Sequence, residues 1–279
     1  MIVTGILSSS AICKKLCAVQ NIIFYDFIVI SAVAGAIGFA GAKIFFLIDY
    51  YTPAHFFKAL GYMLSHPKTS GLLSGGFVFY GGLIGGIAGY FLGVKIARCG
   101  LKTFLNTFAF AIPYVHAFGR IGCFCAGCCY GIHYDGPFAL HYSHPVSDVV
   151  CGPGIFPVQL LEALLLFVFA FVVLGVICRA LRQAQGPRVS VQGPRVSAQE
   201  EMPALFFLYI IFYSLIRFLL EFLRGDEARG SVNFGTVFSL SISQVVSVIL
   251  FIAALTLLIF LLIKNLKTDK LKQTEIQND

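Results

Sequence analysis

Pro203-Ala-Leu-Phe-Phe-Leu-Tyr-Ile-Ile-Phe-Tyr-Ser-Leu-Ile-Arg-Phe-Leu-Leu-Glu-Phe222 is an apolar run long enough to cross a bilayer as a helix, yet it carries Arg217 and Glu221. Spacing of four residues stacks Tyr213, Arg217 and Glu221 on one helical stripe, and Arg224 follows three residues later. A charge near a bilayer centre costs about 2.5–3.5 kcal/mol on insertion scales, so an arginine and a glutamate placed there imply a task. A second arginine, Arg120, follows another apolar segment, inside Gly119-Arg-Ile-Gly-Cys-Phe-Cys-Ala-Gly-Cys-Cys-Tyr-Gly131. Two arginines beside a lipid-facing cavity point to the gripping of an anion, a phosphate above all.

Composition extends this reading to the whole chain. The 279 residues are 58% hydrophobic and 12% charged, too apolar for a soluble domain. Spans are predicted at about 22–47, 72–94, 103–119, 157–178, 203–223 and 240–263, the third being short and followed by a glycine-rich turn. The expected fold is all-α: a polytopic membrane protein with about six transmembrane helices around a lipid-accessible cavity, forming a single membrane domain over residues 1–279. Between the fourth and fifth spans, Gln185-Gly-Pro-Arg-Val-Ser190 recurs as Gln192-Gly-Pro-Arg-Val-Ser197. Pro187 and Pro194 exclude a continuous helix, so 185–200 reads as a flexible cytoplasmic linker.

Basic residues alternate from loop to loop. Lys14 and Lys15 precede the first predicted span, Lys95, Arg98 and Lys102 follow the second, Arg179, Arg182, Arg188 and Arg195 follow the fourth, and Lys264, Lys267, Lys270 and Lys272 form the tail. The positive-inside rule then predicts both termini on the cytoplasmic side, with Arg120, Glu221 and Arg224 toward the outer leaflet. The net charge of +7 reflects topology and contact with anionic membrane lipids; no nucleic-acid partner is implied. Residues 1–20 lack the apolar core and small-residue cleavage site of a signal peptide, and read as the tail of a hydrophobic segment.

Several smaller patterns carry two readings each. Gly81, Gly85, Gly89 and Gly93 recur every four residues beside Gly82 and Gly86, and Ala34, Gly38 and Ala42 repeat the device in the first span. Such a stripe lets helix backbones approach closely, or makes a smooth wall for an acyl chain. His133, His141 and His144 in the 132–156 loop fit surface hydrogen bonding better than metal ligation, their spacing being irregular. Cys123, Cys125, Cys128 and Cys129 are four thiols within seven residues: small packing groups first, with a disulfide, an exchanging thiol or a soft-metal site as alternatives. His116 lies one turn before Arg120, either as a proton acceptor or as a histidine bonded between helices.

Four stretches, taken in order, resemble the bacterial phosphatidylglycerol–prolipoprotein diacylglyceryl transferases. Tyr80-Gly-Gly-Leu-Ile-Gly85 resembles that family's His-Gly-Gly-Leu-Ile-Gly, and Gly119-Arg-Ile-Gly, with Phe124 and Gly127, resembles Gly-Arg-x-Gly-Asn-Phe-x-x-Gly-Glu. Pro157-Val-Gln-Leu-Leu-Glu162 is similar to Pro-Ser-Gln-Leu-Tyr-Glu, and Tyr213, Arg217, Glu221 and Arg224 match a Tyr, Arg, Glu and Arg pattern; Gln244 also fits. The likeness spans roughly residues 22–263. It implies a bacterial inner-membrane enzyme that moves the diacylglyceryl group of phosphatidylglycerol to the lipobox cysteine of a prolipoprotein signal peptide, releasing glycerol phosphate, with no cofactor and no metal. It also implies catalytic roles for Arg120, Arg217 and Glu221, and puts Tyr80 at the place of the family's histidine, which His116, by its position one turn before Arg120, could replace as proton acceptor. Tyr213, Arg224, Gly81, Gly82, Gly122 and Gln159 would bind substrate. The chain departs from the pattern at Tyr80 (histidine in the family), at Cys123 (asparagine) and at Cys128 (glutamate), and the family's first span looks absent. These departures keep two further readings open: a weak or inactive relative that binds anionic lipid or signal peptides, and a membrane thiol redox or metal-handling protein.

Overall fold

The computed structural model describes residues 1–50, 61, 65, 79–143, 152–184, 203–225, 231–234 and 238–278. The 185–200 linker and His144 lie outside the described residues. Seven helices are present among those described: α1 (Ile2–Val19), α2 (Phe24–Tyr50), α3 (Phe79–Ala97), α4 (Leu105–Ala126), α5 (Val158–Ala184), α6 (Pro203–Leu220) and α7 (Ile242–Asn278). A 3-10 turn, Glu221–Leu223, extends α6, and a short antiparallel hairpin, β1 (Ser231–Phe234) with β2 (Phe238–Ser241), leads into α7.

Six stretches are long and apolar enough to cross a membrane: Ile2–Val19, Phe24–Ile48, Leu105–Ala126, Val158–Arg182, Ala204–Leu223 and Ile242–Lys264. A seventh apolar helix, Gly81–Ala97, is shorter. Large apolar side chains such as Ile249, Ile252 and Phe260 stay exposed, as lipid-facing surfaces require. This is an all-α polytopic membrane protein.

The count of six agrees with expectation, but the membership differs at three places. The first twenty residues, counted outside the six predicted spans, hold α1, an 18-residue helix of spanning length. Its serines hid this, yet Ser8 Oγ donates back to Thr4 O at 2.7 Å, so the helix satisfies that hydroxyl itself. The second predicted span corresponds to α3, whose described apolar stretch, Gly81–Ala97, is below spanning length; residues 72–78 lie outside the described set. The third is not short. α4 continues through Gly119, Arg120 and Gly122 to Ala126, because glycine is tolerated inside membrane helices. The turn comes later, at Gly127 (φ 72) and Cys129 (φ 58), where Cys128 N donates to Cys123 O at 3.1 Å.

The described chain forms two compact units, residues 1–20 with 105–279, and residues 21–104. In the second unit, α2 and α3 meet backbone to backbone along the glycine stripe. A Cβ at Gly81 would lie 2.4 Å from Gly41 O, one at Gly85 2.5 Å from Ile37 O, and one at Gly89 2.7 Å from Ala34 Cα. The stripe therefore packs helices. In the first unit, α1 runs antiparallel to α4. The space beside Gly5 is filled by Phe118, and Met1 reaches Gly122, where an added Cβ would be 3.6 Å away. Ala117, Ala163, Leu166, Tyr209 and Ile216 form the buried apolar floor shared by α4, α5 and α6.

Candidate active site

Four polar side chains from three helices meet above that floor. Glu162, 1% exposed on the first turns of α5, is their centre. Arg120 of α4 brings its Nε to 2.9 Å from Glu162 Oε1, an ion pair in which the Nε–H is not aligned on the oxygen. His116, one turn earlier on α4, has Nε2 3.9 Å from the same oxygen. Tyr213 of α6 donates its hydroxyl to it at 3.3 Å, and the Tyr213 and His116 rings meet edge-on with centroids 4.9 Å apart. A buried carboxylate is tolerable only with such partners.

A second ion pair lies one turn along α6. Arg217 Nη2 is 2.7 Å from Glu221 Oε2 and also donates to Ser243 Oγ at 3.1 Å. Ser243 is positioned by the start of α7, where Ser241 N donates to Gln244 Oε1 (3.0 Å) and Gln244 N donates to Ser241 Oγ (3.1 Å). That reciprocal cap explains what Gln244 does. Arg217 Nη1 remains buried without a hydrogen-bond partner among the described residues. His116 and Tyr213 each interact electrostatically with both Arg120 and Arg217, so the two arginines serve one neighbourhood.

The Cys123–Tyr130 turn borders this cluster. Gln159, 2% exposed, donates Nε2 to Cys128 O at 2.9 Å, and Ile132 N and Gly225 N bond to Leu223 O and Tyr130 O, tying the turn to the end of the 3-10 segment. Gly131 pairs with Arg224, and Arg224 interacts with Cys129. The Cys129 thiol is drawn below its usual range, chiefly by its hydrogen bond with Cys123; burial opposes this and Arg224 reinforces it. Burial pushes the Cys128 thiol up. Cys125 is exposed and stands apart from the other three.

Of the residues singled out in the sequence, Arg120, His116, Tyr213, Arg217 and Glu221 converge here, while Gln159 and Arg224 hold the adjoining turn. Gly122 is helical, beside Met1. Tyr80, Gly81 and Gly82 belong to α3 in the other unit, where Gly81 and Gly82 face α2. His133 lies 3.6 Å from Asp135 and His141 bonds Gly152 O, consistent with surface hydrogen bonding. The residues that sequence reasoning passed over are Glu162, present in the Pro157–Glu162 stretch but given no role, and Ser243. A signal for Glu162 existed: it is the sole acid in an otherwise apolar spanning helix.

Residues 1–260 match the family model described as prolipoprotein diacylglyceryl transferase. The chain belongs to that family. Proteins of the same kind, each named phosphatidylglycerol–prolipoprotein diacylglyceryl transferase, are similar along most of it. The one from Clostridium tetani is 28% identical over 80% of this chain and 76% of its own length. A second, from Clostridium perfringens, is 31% identical over 65% of this chain and 61% of its own, and one from Geobacter sulfurreducens 31% identical over 72% and 68%. Family membership makes the chain a transferase of lipoprotein biosynthesis, and its buried Arg–Glu pairs stand in the segments through which it resembles the family.

Proposed function

We propose that the Arg120 and Arg217 guanidiniums bind the phosphate of phosphatidylglycerol while this transferase moves the diacylglyceryl group to the lipobox cysteine thiol of a prolipoprotein signal peptide. The sulfur forms a bond to the glycerol carbon that carries the phosphate, the carbon–oxygen bond breaks, and glycerol phosphate leaves with the electron pair. The thiol proton passes to a base, for which His116 is the nearest candidate, or Tyr80 through the family resemblance. The observation that carries the reading is Arg217 Nη1, a buried cationic donor without a hydrogen-bond partner among the described residues, on a side chain that shares the His116 and Tyr213 neighbourhood with the Glu162-paired Arg120. A phosphate satisfies such donors, and charge-assisted bonds to it strengthen as negative charge builds on the departing oxygen. Glu162, Tyr213 and Glu221 orient the arginines, and Arg224, Gln159 and Gly122 shape the substrate-facing edge. The test is purified protein with phosphatidylglycerol and a lipobox peptide, read as the peptide's mass shift. Transfer supports the reading. Lipid binding without transfer would select the second reading, a binding relative, which Tyr80 in place of the family's histidine favours.

We further assign the protein to the bacterial inner membrane, with the Lys264–Lys272 tail and the 20–23 turn facing the cytoplasm. What supports this is the distribution of lysine and arginine. Since α1 is itself of spanning length and antiparallel to α4, its Met1 end shares the outer side with Arg120, in place of the two cytoplasmic termini expected from six spans. Reporter fusions after Lys272 should read as cytoplasmic and tags ahead of Met1 as external; a cytoplasmic Met1 end would overturn the assignment.

A further inference from the structure

We propose that Cys123, Cys128 and Cys129 form a three-thiolate site for a soft d10 cation, zinc or cuprous copper. Their sulfurs all lie within 4.8 Å of one another, and all three residues are partly buried. Zinc–thiolate bonds of about 2.3 Å set tetrahedral sulfur–sulfur distances near 3.8 Å, so closure around an ion asks each sulfur to move by under about 1 Å. Four thiols packed into seven residues give no such centre by spacing alone; the fold makes it by leaving Cys125 out. Helix α4 ends after Cys123, Gly127 and Cys129 adopt left-handed backbone, and the chain reverses so that Cys128 and Cys129 return to Cys123. A left-handed cysteine is an uncommon conformation for a residue with a side chain, and its surroundings must hold it.

Those surroundings are rigid. Gln159 fixes Cys128 through its carbonyl, and the segment around Leu223–Gly225 fixes the following strand of the loop. Ligands held in this way lose little entropy on binding. Charge also fits. Three thiolates around a divalent ion leave one net negative charge, and around a monovalent ion two; Arg224 interacts with Cys129 and Arg120 with Cys123. A disulfide uses two sulfurs and strands the third, and the vicinal pair Cys128–Cys129 is poorly disposed to close. A shared ion uses all three, losing the thiol protons to solvent as it binds. Three protein ligands leave a fourth zinc position open, whereas cuprous copper is content with three. The site is particular to this chain's departures, since Cys123 and Cys128 stand where the resembled motif has asparagine and glutamate.

The test uses the full chain, purified in detergent under a phosphine reductant, without lipid or peptide, so its outcome is separate from that of the transfer assay. Zinc is titrated against a chromophoric chelator, and cuprous copper anaerobically against bicinchoninate. The expected result is about one equivalent of one of these ions, lowered at least about tenfold in affinity by Cys123→Ser, Cys128→Ser or Cys129→Ser and unaffected by Cys125→Ser or Cys178→Ser. Cobalt substitution guards against a misfolded variant: the parent should show sulfur-to-cobalt charge-transfer bands with the intensity of three thiolates. Failure of the parent to bind either ion, or a cobalt spectrum without thiolate bands, overturns the proposal.

Discussion

Glu162→Gln is the most exacting test of the buried cluster. The substitution keeps volume and leaves an oxygen to accept the Tyr213 hydroxyl, now 3.3 Å from Oε1, but removes the charge 2.9 Å from Arg120. Breaking a buried ion pair by deleting one partner costs about 3–5 kcal/mol; because the Arg120 side chain is 14% exposed and can relax outward, the low end, about 3 kcal/mol, is expected here. An Arg120 that leaves its position no longer meets the phosphate, and loss of one such positioned donor lowers turnover by about a hundredfold or more. Stability is read by unfolding in detergent, and turnover by the mass shift of a lipobox peptide. The decisive measurement is the double variant Arg120→Gln with Glu162→Gln. With both charges gone the unpaired-charge penalty disappears, so the double variant should be more stable than the sum of the single losses by at least about 1 kcal/mol. Strict additivity, together with normal transfer by Glu162→Gln, would refute the idea that this carboxylate holds Arg120 in place.

Further outcomes follow from the same geometry. Arg217→Lys should lower transfer to within about threefold of Arg217→Ala, because an ammonium cannot serve Glu221, Ser243 and a phosphate as one planar fork; parent-like transfer by the lysine variant would remove phosphate recognition from this residue. Gln244→Ala should cost about 1 kcal/mol of detergent stability through loss of the α7 cap, with a smaller loss of transfer through Ser243; an unchanged unfolding midpoint would discount the cap. Gly85→Ala should destabilise by about 1–3 kcal/mol, since its new methyl would lie 2.5 Å from the Ile37 carbonyl, while Gly86→Ala, which meets nothing within 4 Å, should be neutral; equal effects in thermal unfolding would count against the packing geometry.

The sequence made the spans legible because a bilayer demands long apolar runs, and it made the Arg217–Glu221 pair legible because four residues is one helical turn. It misled where a local signal has a different meaning in lipid. Ser8, Ser9 and Ser10 broke the apolar run of α1, although Ser8 bonds its own backbone. Gly119 and Gly122 looked like a turn, although a membrane helix tolerates both. Glu162 illustrates a deeper limit: its partners come from residues 116, 120 and 213, and no spacing rule connects three helices. The thiol centre was hidden for the converse reason, since its members are adjacent in sequence and only the left-handed backbone at Cys129 decides which of the four cysteines meet.

The pairing of α1 with α4 has a consequence for how the chain is made. Helices α2 and α3 are near neighbours in sequence and can zip together along their glycines as soon as both have left the ribosome. Helix α1 is synthesised before either, yet its partner arrives only after all of residues 21–104. Throughout that interval its α4-facing side has no α4 to cover it. A helix carrying unsatisfied hydroxyls would be a poor lodger in lipid, and the bond from Ser8 to Thr4 O equips it to wait. The feature that disguised this segment in the sequence is thus suited to a helix made well before its partner, which needs to be comfortable in lipid before it is useful in company.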